Sequence, residues 1–141
     1  MFRANTILIL LFWLVLTSCS TGPTPVAETV PTDMLLPASQ EYSINDAGDG
    51  TVHILRDYSF TGVACKNLVT VNGKPVAKLG VKETATFFVP EGEVFVGTQH
   101  GCFGGEAAEE VVVVEAGKDY YFRTGFSDTS TSLRLYRSSP F

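Results

Sequence analysis

The sequence predicts an all-β protein, a small antiparallel β-sandwich of about seven or eight strands. Three observations carry that expectation. From Thr51 onward, short β-branched and aromatic runs are punctuated every several residues by turn signals. Asn72-Gly73 lies between Val69/Val71 and Val76, and a type I′ hairpin turn needs positive φ at both of its central residues. No segment shows sustained helical spacing with caps. Short strands at even intervals bury their apolar faces by pairing two sheets or closing a small barrel.

The expected strands are 51–56, 67–71, 74–79, 83–89, 93–98, 110–115, 119–126 and 132–137. After Asn72-Gly73, the next turns are Pro90-Glu91-Gly92 and Ala116-Gly117-Lys118. Pro75 cannot donate to a ladder, so its strand is expected at a sheet edge. Phe87-Phe88 and Tyr120-Tyr121-Phe122 place neighbouring rings on opposite faces, so at least one ring of each set should leave the core. Asn45-Asp46-Ala47-Gly48-Asp49-Gly50 glances at a calcium loop. The third and twelfth positions are Ala47 and Arg56, where an EF-hand needs an oxygen ligand and a Glu, so an Asx/Gly turn is expected.

Ahead of the strands the composition shifts. Four of the seven prolines (Pro23, Pro25, Pro31 and Pro37) fall between Ser20 and Asp49, among Thr, Ser, Ala and Glu. Such a segment favours extended polyproline II or disorder, at about 3.1 Å per residue. It reads as a spacer holding a domain several tens of ångströms from an attachment point, with Met34-Leu35-Leu36 able to dock. Ahead of it, Arg3 and the uncharged run Thr6–Leu16 have the form of a signal peptide. That run is too short to span a bilayer, which takes about 20 apolar residues. The expected organisation is 1–18 signal peptide, 19–49 lipid-anchored Pro/Thr-rich tether and 50–141 β-domain.

Leu16-Thr17-Ser18-Cys19 resembles the bacterial lipobox: an aliphatic residue three before a cysteine, with small residues between. The resemblance implies diacylglyceryl transfer to the Cys19 thiol, cleavage before Cys19 and acylation of the new amine. A thiolate suits the nucleophilic step, and stable attachment takes more than one acyl chain. Ser20, where Asp would signal inner-membrane retention, favours the outer membrane facing the periplasm. The whole chain carries a net charge of −5, and loss of Arg3 makes the rest more acidic still. An acidic chain argues against nucleic acid or anionic headgroups as partners, since both call for basic patches.

With Cys19 assigned to lipid, Cys65 and Cys102 remain as an even pair in an oxidising compartment, and a disulfide is expected. The alternative is a zinc or copper site, or a reactive thiol, using Cys65, Cys102, His53 and His100. The spacing lacks the paired C-x₂₋₄-C clusters of structural zinc. Neither a G-x-S-x-G elbow, nor H-E-x-x-H, nor a P-loop occurs. Glu106, Glu109 and Glu110 suggest a charged strand edge that discourages aggregation.

Taken in order, Val52–Arg56, Val69–Leu79, Val89-Pro90-Glu91-Gly92 and Glu115–Phe122 resemble a family of small bacterial lipoprotein domains of unknown function. Related PEGA-type domains share the D/N-G-K hairpin and the P-x-G turn. The resemblance covers nearly all of residues 50–137 and implies a β-sandwich-like envelope domain with no assigned catalytic residues. Asn72 stands where Asp is common, and Cys65 and the Gly-rich stretch 97–105 around Cys102 are additions. The expectation is a non-enzymatic module, without a cofactor, attached to the membrane through Cys19 and binding an envelope protein or cell-wall component.

Overall fold

The computed structural model describes residues 23–59, 62–102, 107–126 and 132–140. The signal segment, Cys19, residues 103–105 of the Gly-rich stretch and Glu106 lie outside them. Mostly strand, the chain forms two sheets packed against each other.

After the short β1 (Val30–Pro31) come β2 (Asp49–Arg56), β3 (Asn67–Val71), β4 (Lys74–Leu79) and β5 (Glu83–Pro90). β6 (Gly92–His100), β7 (Ala107–Val114), β8 (Asp119–Phe126) and β9 (Leu133–Ser138) complete the sandwich. The eight expected strands are β2 to β9, three of them with the expected limits. Their alternation is the cause: β3 reads buried and half-buried by turns, as a strand with one face on a core must.

Sheet A has the order β1-β5-β2-β8-β9 and sheet B the order β4-β3-β6-β7. Sheet B is antiparallel throughout. Sheet A departs from the expected antiparallel pattern, because β2 runs parallel to β8 and β1 parallel to β5. The core between the sheets comprises Val52, Ile54, Phe87, Val89, Phe122 and Leu135 from sheet A, facing Val69, Val71, Val76, Leu79, Val94, Val96, Val112 and Val114 from sheet B. Each such side chain, fully buried, contributes roughly 1.5–3 kcal/mol. Phe87 and Phe122 point inward, while Phe88 and Tyr121 are half-buried on the outer face.

Asn72 and Gly73 both take positive φ (49° and 74°), as the hairpin requires. Asn72 also ties the turn to β6, its N–H donating to the Phe95 carbonyl (2.8 Å) and its Oδ1 accepting the Phe95 N–H (3.0 Å). Pro75 lies on β4, an edge strand, and the register there shifts so that Val76 has no opposite residue on β3. Asp46 and Asp49 close a turn onto each other through both backbone and side chain.

The Pro-rich segment corrects the reading of a spacer. Within its described part, Thr24 to Tyr42 form a strap laid over the open side of the sandwich. The Val30 N–H donates to Lys82 O (3.0 Å) and the Thr32 N–H to Thr84 O (2.8 Å), which covers the β5 edge. Thr32 Oγ1 then donates to Lys78 O, Lys78 N–H to Met34 O, and Leu36 N–H to the carbonyl of the bulged Val76, which covers the β4 edge. A 3-10 turn at Pro37–Tyr42 follows, with Tyr42 buried in the core. The strap therefore supplies the partners that both edge strands lack.

Candidate functional site

The four sequence-selected side chains do not converge. Val52 and Ile54 face the core, so His53 between them projects from the outer face of sheet A. Cys65, Cys102 and His100 gather instead at one end of the sandwich, where β2 finishes, β3 begins and β6 ends.

At that end Cys65 and Cys102 form a disulfide with α-carbons 5.6 Å apart. The approach depends on Gly101, since a Cβ there would lie 2.0 Å from the Lys66 carbonyl oxygen. With both sulfurs bonded, neither thiolate is available to a metal or as a nucleophile. Among the described residues, no group of three or more His, Cys, Asp and Glu side chains is placed to hold a metal ion.

Behind the disulfide lies a polar layer that sequence reasoning passed over: Arg56, Asn67, Thr98, His100 and Thr124, all at most 4 % exposed. Arg56 is the centre of its outer part. It donates to the carbonyls of Leu79 (2.9 Å), Gly62 (2.8 Å) and Cys65. Burial lowers its pKa to about 10, and the nearby Glu83 charge opposes that fall, so the guanidinium stays charged at neutral pH. Thr124 donates to Thr98 (3.2 Å), and the Asn67 amide nitrogen reaches Thr124 (3.4 Å). His100 accepts the Cys102 N–H through Nδ1 (3.3 Å) and meets the Phe126 ring edge-on (5.1 Å). The signal that could have found this layer is parity. Arg56 keeps step with Val52 and Ile54, Asn67 with Val69 and Val71, Thr98 and His100 with Val94 and Val96, and Thr124 with Phe122.

Beside the disulfide a cleft of about 470 Å³ opens between Met34 of the strap, Lys66, Leu68, Lys78 and Gln99. The Lys66 ammonium is committed to Glu83 (3.2 Å) and Asp33 (3.3 Å). Burial works to lower its pKa, but those carboxylates outweigh it and raise it. Burial likewise pushes the Glu83 carboxyl up, and the Gly80 N–H (2.8 Å) with Lys66 holds it below its ordinary range. The Lys66 charge thus fastens strap, loop and β5 to one another.

Two further clusters lie on the outer face of sheet A. His53 takes Thr86 Oγ1 on Nδ1 (3.1 Å) and Asp119 on Nε2 (2.9 Å), and stacks on Tyr121 with centroids 4.7 Å apart. The hydroxyl–imidazole–carboxylate order looks like a nucleophile and its base. Yet β2 is paired on both sides, so its amides are held in the ladder and none is aimed to take up oxyanion charge. The cluster ties three strands together. The second cluster clamps the start of the strap. Thr24 N–H donates to Asp57 (2.9 Å), the Thr24 hydroxyl accepts Tyr58 N–H (2.7 Å) and the Thr24 carbonyl accepts Arg123 (3.2 Å). Arg123 and Tyr136 each also bind the Asp57 carboxylate, at 2.6 and 2.8 Å.

No protein-family model matches the chain, and no curated protein sequence matches it.

Proposed function

We propose that this protein is a lipid-anchored bacterial envelope lipoprotein whose sandwich serves as a non-enzymatic binding or structural module. The observation that carries the reading is Leu16-Thr17-Ser18-Cys19 directly after the apolar run 6–16. Two features support it. Of three cysteines, two are joined to each other, which leaves Cys19 as the odd thiol and fits an oxidising compartment. The side chains best suited to acid, base or nucleophilic work are engaged in holding strands together: His53 with Thr86 and Asp119, and Asp57 with Arg123. On the family resemblance and Ser20, the anchor belongs in the outer membrane, facing the periplasm, with an envelope protein or cell-wall component as partner.

Metabolic labelling with a clickable fatty acid tests the anchor. The wild-type chain should take up label and Cys19→Ala should not. Equal labelling of the two would end the lipoprotein reading.

A further inference from the structure

We infer that the sandwich is held close against the bilayer surface, with the Thr24 clamp turned toward the lipid and the hairpin end turned away. The inference rests on lipidation of Cys19 and adds to it a height and an orientation.

Thr24 fixes the height. All three of its polar groups are bonded, to Asp57, Tyr58 and Arg123, and it is 2 % exposed. From there the strap continues against β5 and β4, so no slack is left beyond that point. Only Ser20, Thr21, Gly22 and Pro23 separate Thr24 from Cys19. A fully extended chain covers at most about 3.6 Å per residue, so Thr24 stays within roughly 18 Å of the acylated cysteine. A sandwich strand of eight residues is itself about 26 Å long. The tether is shorter than the domain it holds, so the clamp end of the domain stays within that distance of the surface.

The same clamp fixes which end faces the lipid. Asp57 and Tyr58 follow directly on β2, at the end that also carries the disulfide and the polar layer. Around the exit point stand exposed Tyr58 (41 %) and Tyr136 (40 %), with Val26 nearby. Tyrosine suits the headgroup level, having an apolar ring and a polar tip. The Tyr136 hydroxyl is bonded to Asp57, and Lys82 lies over the Tyr58 ring at 5.8 Å while paired with Glu28. The charges beside the exit are thus balanced in pairs, so contact with lipid needs no anionic headgroup. At the far end the turns 72–73, 90–92 and 116–118 face outward, where a partner would meet them.

The lone tryptophan, Trp13, leaves with the signal peptide, so a tryptophan introduced by substitution reports alone. Full-length, lipidated Tyr58→Trp and Phe95→Trp variants would be reconstituted in phosphatidylcholine vesicles containing a shallow doxyl-labelled lipid. Both should float with the vesicles. Trp at 58 should lose most of its emission to the quencher, while Trp at 95, on β6 toward the hairpin end, should keep its own. Inserting about 20 Gly/Ser residues between Gly22 and Pro23 leaves the clamp intact, adds flexible reach, and should restore the emission at 58. Flotation without quenching at 58, or equal quenching at both sites, overturns the orientation while leaving the anchor standing. Failure to float overturns the anchor and this inference with it.

Discussion

Arg56 shows how one residue can close the end of a sandwich. Its position in β2 points it inward, and three carbonyls from the loop and from β4 meet the guanidinium there. Removing the side chain leaves those acceptors buried and unpaired, so Arg56→Ala should lose about 3–5 kcal/mol in denaturant unfolding. Arg56→Lys should recover only part of that loss, because an ammonium cannot reproduce the planar fork. In the sequence Arg56 looks like a strand's polar terminus. The inward parity of Arg56, Asn67, Thr98, His100 and Thr124 was legible, but nothing local says that partners will wait at polar inward positions. The disulfide was legible by elimination, since the stretch around the third cysteine resembles a lipobox. That His53 and His100 would end up on different layers was not, because their separation depends on which strands become neighbours.

At the scale of elements, turn chemistry explains why the strand limits could be read so closely. Asn72 works twice in its hairpin, adopting positive φ and bonding Phe95 of the neighbouring strand. Asn72→Ala forfeits both and should cost about 1–2 kcal/mol. Asn72→Asp keeps the acceptor and the turn preference and should stay within about 0.5 kcal/mol of wild type in the same assay. The strap was hidden for a complementary reason. Proline and threonine density describes a chain with little regular structure of its own, and this one forms only short 3-10 turns by itself. Its order comes from donors and acceptors on two edge strands far away in sequence, and from Thr24 meeting Asp57. A two-residue β1 leaves no periodicity to detect.

For the whole molecule, strap and sandwich meet in a charged knot of Asp33, Lys66 and Glu83, and that knot sets the response to acid. Glu83 has a folded pKa below its ordinary value, so the folded state resists its protonation. The stability it contributes is present above the ordinary carboxylate value and is lost as pH falls below it and through the lower folded value. The raised pKa of Lys66 works at the other limit: its contribution persists at neutral pH and is lost only as pH rises through its folded value. Thermal melts taken across acidic pH should show a falling Tm, and Glu83→Gln should start lower and fall less steeply.

The parallel pairing of β2 with β8 carries a consequence in time. Thr51 and Asp119 lie opposite each other although nearly half the chain separates them. β3, β4 and β6 can assemble as soon as they exist, because their partners are close in sequence, whereas sheet A must wait for β8 to enter between β2 and β9. Until β8 arrives, β2 has one side unpaired. Such an unpaired side is a template for any neighbouring extended chain, and closure over so long a loop is intrinsically slow. Entry of β8 is therefore the step at which productive folding competes with self-association.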